Sequence, residues 1–160
     1  MSCDCIVIDS SAIITLFRSG QAQLLPRLFS HIVIPEAVWQ EVIGEKDDAA
    51  AYGVVHAPWL KRESVIPSPR ILAWCLGKGE TAVLSRALEE PSLRVVIDDL
   101  DARRCAQVMA IPMLGTGGVL LLAKRRGLIP SVGEALNKIR AAGLWLSDEI
   151  VALIRTQAGE

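Results

Sequence analysis

Three aspartates, Asp98, Asp99 and Asp101, follow the apolar run LRVVI and fall within four consecutive positions. Two unit charges about 5 Å apart repel by roughly 3 kcal/mol at an effective dielectric near 20. A solvated turn ahead of a helix would dilute that repulsion, because negative charge is mildly favoured at a helix N-terminus. A bound cation would turn the repulsion into attraction. Whether these aspartates form a solvated turn or part of a metal site depends on which other acidic residues the fold brings near them.

Acidic side chains also stand at other points that a parallel α/β sheet would bring to one edge. Asp9 directly follows the apolar run CIVI, and Glu80 comes after GKG at the start of a helical segment. Ligands of such sheets collect at the carboxyl ends of the strands, so Asp9 and Asp98 are expected on the same edge. Simpler interpretations exist for both added acids: Asp9 as a helix cap, and Glu80 as a first-turn acid that the helix dipole favours.

The segment PEAVWQEVIG carries two glutamates, of which only one can face a given site. Glu36 and Glu41 are five positions apart, which at 100° per residue separates them by about 140° around a helix. The helix dipole favours Glu36 in the first turn and opposes Glu41 in the last turn. Glu41 therefore needs a partner, and a cation would supply one. Simple solvent exposure is the alternative.

Taken together, Asp9, Glu41, Glu80 and Asp98 or Asp99 give a set of ligands that contains only oxygen. Such sites suit Mg²⁺ or Mn²⁺. Without a cation, the carboxylates would raise one another's pKa and weaken the fold. With one or two divalent ions, the same cluster can polarise a phosphodiester and lower the pKa of an attacking water. The crowded aspartates are most simply explained as part of a metal site.

The composition is typical of one soluble domain that spans residues 1–160 and has a mainly aliphatic core. Of the residues, 51% are hydrophobic and only 4% aromatic, and the net charge of −1 gives no global attraction to nucleic acid. The four cysteines form no CxxC pair and only two histidines exist, so we expect buried or half-buried thiols rather than structural zinc. The apolar runs are too short to cross a bilayer, and no signal peptide opens the chain. We therefore expect a cytoplasmic protein without membrane association.

Short apolar runs alternate with helical segments along the chain. This pattern predicts a parallel sheet with helices on both sides. Pro35 is expected at the first position of a helix, because its missing N–H is not needed there. The strands are predicted at CIVI (5–8), HIVI (31–34), LKRESV (60–65), LRVVI (93–97) and IPML (111–114).

Five segments, in their order and spacing, resemble a prokaryotic PIN-like domain. They are IVIDSSAI, VIPEAVWQEV, GKGETAVLSRA, VVIDDLDARR and GTGGVLLLAKRRGLIPS, and the resemblance covers about residues 5–155. The chain is most similar to the branch of PIN-related predicted nucleic-acid-binding proteins that carry a late GT-x-GVLLLAK-x-GLI segment. The resemblance implies a three-layer α/β/α Rossmann-like sandwich with a mostly parallel sheet. It also implies a Mg²⁺- or Mn²⁺-dependent ribonuclease that hydrolyses RNA phosphodiester bonds with three or four acids.

The resemblance also assigns roles to individual acids. The catalytic residues that it implies are Asp9, Glu41, Glu80, Asp98 and Asp99, and the metal ligands among them are Asp9, Glu80, Asp98 and Asp99. The more usual T-x-D form of PIN domains favours Asp99 and Asp101 instead, since Ile97 and Asp98 stand in place of its threonine and small polar residue. Which acid of IDDLD is the ligand therefore stays open.

Three more residues are expected to contact the substrate: Ser10, Arg103 and Thr116. Ser10 is implied as a helper hydroxyl beside Asp9. Basic side chains such as Arg103 would hold the phosphate backbone at the rim, although a solvated helix surface is the ordinary role of such residues. Thr116 in GTGG is a candidate for orienting a water or phosphate, and capping the following helix is its more ordinary role.

Many PIN proteins are toxins of toxin–antitoxin pairs that act on RNA and dimerise. The resemblance thus implies RNA, a small antitoxin protein and a second copy of the chain as partners. One alternative is a non-catalytic PIN-like scaffold that binds RNA or protein and merely retains the acids. A phospho-receiver also combines acids and Mg²⁺ on a parallel sheet. It would need paired acids after the first strand and a single one after the third, the reverse of the order here.

Overall fold

The computed structural model describes residues 4–44 and 48–160, and a parallel β-sheet lies at its centre. Within these residues the sheet has five strands in the order β3-β2-β1-β4-β5, and every strand pair is parallel. The strands are β1 (Cys5–Ile8), β2 (His31–Pro35), β3 (Leu60–Glu63), β4 (Leu93–Val96) and β5 (Met113–Leu114). The predicted α/β class is confirmed.

Helices cover both faces of this sheet. They are α1 (Ser10–Arg18), α2 (Leu24–Leu28), α3 (Glu36–Gly44), α4 (Ala49–Val55), α5 (Pro69–Leu72), α6 (Lys78–Glu89), α7 (Leu100–Val108), α8 (Thr116–Arg125), α9 (Val132–Ala141) and α10 (Asp148–Gln157). The connections β1–β2 and β3–β4 run in opposite directions across the sheet, so right-handed crossovers place their helices on opposite faces. The result is the predicted α/β/α sandwich.

The central strand β1 is buried along its whole length, as its apolar, β-branched sequence requires. Its neighbours β2 and β4 are buried at most positions, and aliphatic side chains of the surrounding helices complete the core. Asp9 directly follows β1, and Asp98 stands two residues beyond the end of β4. Because β1 and β4 pair directly, both aspartates lie at the middle of the carboxyl edge of the sheet. The packed core thus fixes the positions of the strand ends that carry these two aspartates.

Three strands are shorter than the sequence predicts. β3 ends at Glu63, β4 ends at Val96, and β5 contains only Met113 and Leu114. Pro112 cannot donate to a strand ladder, although its carbonyl oxygen accepts a hydrogen bond from the backbone of Val95. The prediction for Pro35 is wrong, because this residue ends β2 and α3 begins at Glu36.

The cysteines only partly follow the expectation for them. Cys5 and Cys105 are buried, whereas Cys75 is exposed, and Cys3 lies outside the described residues. In residues 4–44 and 48–160, no helix combines the length and apolar character needed to cross a membrane.

Candidate active site

Asp9 occupies the centre of the carboxyl edge of the sheet. Its backbone N–H donates to the carbonyl oxygen of Val96 at 3.1 Å, which fixes the residue beside the end of β4. Asp9 is the N-cap residue of α1 by position, but its side chain does not cap that helix, so this simpler explanation is wrong. The residue is 1% exposed, and its Oδ1 has no hydrogen-bond partner among the described residues. A buried polar atom without a partner is costly and calls for an explanation.

The surroundings of Asp9 favour its neutral form. Burial and, next, the charge of Glu80 raise its pKa from 3.8 to about 7, and the charges of Glu41 and Asp98 act in the same direction. A hydrogen bond from the backbone of Ser10 opposes this shift. The structure thus brings four acids together from distant parts of the chain. They come from the end of β1, the last turn of α3, the first turn of α6 and the end of β4.

Glu41 is held in place by two donors. Its Oε2 accepts a hydrogen bond from the hydroxyl of Ser10 at 2.6 Å, and its Oε1 accepts one from the backbone N–H of Gly79 at 3.0 Å. Gly79 lies in the first turn of α6, where the helix dipole favours a negative charge. The partner that Glu41 needs in the last turn of α3 is therefore a helix N-terminus. A cation is not required to explain this residue.

Glu36 points to a different neighbour, as the helical wheel predicts. It accepts two hydrogen bonds from the guanidinium of Arg62, at 2.5 and 2.6 Å, and these lower the pKa of Glu36. The same guanidinium lies over the ring of Trp39. Glu36 is thus part of a surface ion pair and not of the acidic group around Asp9.

Glu80 is half-buried in the first turn of α6 and lies directly over Gly77. It exerts the largest charge effect on Asp9. The helix dipole explains why an acid is tolerated at this position, as the sequence indicated. The dipole does not explain why the carboxylate stands beside three others.

Asp98 is bound on both oxygens by one residue. The backbone N–H of Thr116 donates to its Oδ1 at 2.8 Å, and the hydroxyl of Thr116 donates to its Oδ2 at 2.6 Å. Thr116 is fully buried and is the first residue of α8, whereas Gly115 is the N-cap residue. The expectation that Thr116 caps α8 is therefore wrong. Sequence reasoning missed its contact with Asp98, although the motifs IDD and GTGG follow two strands that the α/β pattern places in one sheet.

The structure separates Asp98 from the other two acids of IDDLD. Asp99 is exposed, and its side chain accepts a hydrogen bond from the backbone of Ala102 at 2.9 Å, which caps α7. Asp101 is exposed and pairs with Arg104 at 3.6 Å. Neither is among the carboxylates that raise the pKa of Asp9. The structure therefore does not bring Asp99 and Asp101 into the acidic group.

Arg103 is the basic side chain beside Asp98. Its Nη1 donates to the carbonyl oxygen of Ile97 at 3.0 Å, and the residue is half-buried. Among the described residues it forms no ion pair with an acid within 4.0 Å, which distinguishes it from the neighbouring Arg104. The rest of its guanidinium is thus not committed to another charge.

The residues of this group fit a hard divalent cation. Their side-chain donors are all oxygen, and the buried Oδ1 of Asp9 has no hydrogen-bond partner in the part of the chain that the structure describes. Within the described ranges, no group of three or more His, Cys, Asp or Glu side chains is arranged so that it could hold a metal ion without moving. The carboxylates of Glu41 and Asp98 accept hydrogen bonds, but each oxygen retains a second lone pair for a cation.

A comparison with known families identifies the fold independently. The family model described as "PIN domain" matches residues 5–160, nearly the whole chain. No curated protein matches the chain. The parallel α/β/α sandwich and the acids at its carboxyl edge agree with this match. The chain therefore belongs to the PIN domain family, whose members generally are nucleases.

Proposed function

We propose that the protein is a metal-dependent endoribonuclease that uses Mg²⁺ or Mn²⁺ to hydrolyse phosphodiester bonds of RNA. The observation that carries this proposal is the buried Oδ1 of Asp9, which has no partner among the described residues and lies beside three other carboxylates. A divalent cation would satisfy this atom and offset the repulsion among the acids. Family membership supports nuclease chemistry in general.

In this proposal Asp9, Glu80 and Asp98 hold the cation, and Glu41 completes the acidic group. When bound, the cation polarises the phosphodiester and lowers the pKa of a water molecule. Ser10 positions Glu41 through its hydroxyl, and Thr116 does the same for Asp98. Arg103, beside Asp98, has N–H groups that bond to none of the described residues and could bind a phosphate of the RNA strand.

Asp9 also couples cation binding to pH. Because its pKa is about 7, roughly half of the molecules carry a proton on Asp9 at neutral pH before a cation arrives. That proton has to leave when the carboxylate becomes a ligand. The affinity for Mn²⁺ should therefore rise between about pH 6 and pH 8.

The proposal includes two partners besides RNA: a small antitoxin protein and a second copy of the chain. Both rest on family membership alone. Light scattering measures the mass in solution directly, and a small open reading frame beside the gene would identify an antitoxin for co-purification. A monomeric mass and no such neighbour would remove this part of the proposal and leave the nuclease part intact.

The test is a panel of labelled RNAs incubated with the protein in Mn²⁺ or in EDTA. We expect cleavage in Mn²⁺, none in EDTA, and none with Asp9→Asn or Asp98→Asn in either condition. Equal cleavage by all three proteins with and without chelator would contradict the proposal. Calorimetric titration with Mn²⁺ separates the main alternative, because a non-catalytic scaffold should bind Mn²⁺ only as weakly as ordinary surface carboxylates do.

A further inference from the structure

Each of the three acids around Asp9 lies directly over a glycine. A Cβ added to Gly79 would stand 2.7 Å from Oε2 of Glu41, and one added to Gly115 would stand 3.2 Å from Oδ1 of Asp98. A Cβ on Gly77 would overlap Oε2 of Glu80. Gly77 and Gly115 are the N-cap residues of α6 and α8, and Gly79 lies in the first turn of α6. Both helices begin at the carboxyl edge of the sheet.

The backbone does not demand glycine at any of the three positions. Gly77 has a φ of −60° and Gly115 a φ of −86°, and Gly79 lies inside α6 outside the left-handed region. Alanine adopts these conformations readily and has the higher helix propensity. What the three positions share is the carboxylate that fills the space where a methyl group would be.

We propose that Gly77, Gly79 and Gly115 are positioning residues of the acidic site, each leaving the space in which one carboxylate stands. This inference rests on the proposed function, because it gives these positions a consequence for cation binding. An added methyl group would move the carboxylate rather than unfold the helix, since in two of the three cases the nearest atoms belong to the end of a flexible glutamate.

Gly79 gives the sharpest case because it acts on Glu41 in two ways. Its N–H donates to Oε1, and its missing side chain admits Oε2, which Ser10 also binds. A methyl group here would force the carboxylate away from both donors. At Gly115 the contacts are less tight, at 3.1 Å to Nη1 of Arg103 and 3.2 Å to Asp98. We therefore expect a smaller effect there.

The experiment is calorimetric titration with Mn²⁺ at pH 8 of wild type, Gly77→Ala, Gly79→Ala and Gly115→Ala. The matched control is Gly44→Ala, because Gly44 ends α3 and an added Cβ would meet no atom of the other described residues within 4 Å. We expect Gly77→Ala, which displaces the ligand Glu80, and Gly79→Ala, which displaces Glu41 beside the ligands, to weaken Mn²⁺ binding roughly 10- to 100-fold, the range found when an outer-shell partner of a metal is lost. Gly115→Ala should weaken it less and Gly44→Ala not at all. Thermal unfolding in EDTA should show that all four variants remain folded.

A double-mutant cycle separates lost space from a general disturbance. Glu41→Asp shortens the side chain by one methylene, so its carboxylate no longer reaches the space over Gly79. Adding Gly79→Ala to Glu41→Asp should then cost no further affinity for Mn²⁺. If the alanine costs as much in both backgrounds, or if wild type and Gly79→Ala bind Mn²⁺ equally, the inference is overturned and the proposed function stands. If wild type itself binds no Mn²⁺, the proposed function fails and this inference fails with it.

Discussion

Acidic side chains at the amino edge of the sheet differ in their pairing from those at the middle of its carboxyl edge. At the amino edge, Asp4 precedes β1 and forms ion pairs with Arg126 at 2.8 Å and Arg94 at 3.7 Å. At the carboxyl edge, four acids come together, and none forms an ion pair within 4.0 Å with another described residue. These are Asp9, Glu41, Glu80 and Asp98.

The comparison shows that arginine neutralises many acids of this chain, including Glu36 directly after β2 and Glu63 at the end of β3, but not the four acids at the middle of the carboxyl edge. Asp48 pairs with Arg18, and Glu63 pairs with Arg86. At the middle of the carboxyl edge, the neutral donors Ser10 and Gly79 hold the carboxylate of Glu41, and Thr116 holds that of Asp98. Such donors fix the direction of a carboxylate without cancelling its charge. Like charges that are positioned but not neutralised are what a cation site requires, and an ordinary surface does not keep them together.

The largest effect should come from exchanging one acid at each edge for its amide. Asp9→Asn should reduce cleavage of a labelled RNA in Mn²⁺ by more than about 100-fold, since even loss of an outer-shell partner of a metal costs 10- to 100-fold. Asp4→Asn should leave cleavage unchanged and reduce the free energy of unfolding by at most about 1 kcal/mol, as exposed ion pairs contribute little. Similar losses of cleavage in the two variants would remove the distinction between the edges.

The second effect is on stability and depends on pH. Since the pKa of Asp9 is about 7 in the folded protein and 3.8 ordinarily, the folded state binds more protons than the unfolded state between these values. In EDTA, Asp9 should therefore lower the free energy of unfolding by about 4 kcal/mol as the pH rises from about 4 to above 7. The measurement is urea unfolding of wild type and Asp9→Asn across this range.

Only the difference between these two proteins isolates Asp9, because other acids titrate in the same range. Glu63 and Glu160 have lowered pKa values and oppose the trend, since their contribution to stability grows with pH. A constant difference between wild type and Asp9→Asn at every pH would mean that Asp9 is not strained by its surroundings.

The sequence was sufficient for the strands that carry the site, because buried parallel strands have a simple signature. CIVI and LRVVI are continuous apolar runs, and the acid at the end of each marks where the chain leaves the core. β5 was predicted too long because Pro112 has no N–H to continue the ladder. The apolar pattern was therefore weakest in β5, the strand that precedes Thr116 and α8.

The contacts that hold the acids could not be read from the sequence. Glu41 and Gly79 are 38 positions apart, and Asp98 and Thr116 are 18 apart, so their distances depend on how whole helices pack. The charge argument indicated that Glu41 needs a partner, but it suggested a cation and not the N-terminus of α6. The burial of Oδ1 of Asp9 is likewise a property of packing, and no local pattern encodes it.

The third effect concerns Thr116, whose hydroxyl and N–H both bind Asp98. Thr116→Val keeps the shape of the side chain and the N–H but removes the hydroxyl. We expect cleavage in Mn²⁺ to fall roughly 10- to 100-fold. The free energy of unfolding should fall by about 2 kcal/mol, the typical contribution of a hydrogen bond to a charged group. Thr116→Ser should restore most of the cleavage, and a loss equal to that of the valine variant would show that the methyl group matters more than the hydroxyl.

The smallest effects are expected within IDDLD, where they decide which acid belongs to the carboxyl-edge group. Asp99→Asn removes the charge but keeps the cap of α7, because asparagine and aspartate are equally good N-caps. Asp101→Asn removes only an exposed pair with Arg104. Both variants should cleave RNA within about twofold of wild type and differ from it by less than about 0.5 kcal/mol in free energy of unfolding. Asp98→Asn, one position away, should be inactive. If Asp99→Asn lost as much RNA cleavage as Asp98→Asn, Asp99 would have to leave the cap of α7 and join the acidic group. The group would then contain a residue that α7 releases when the cation binds.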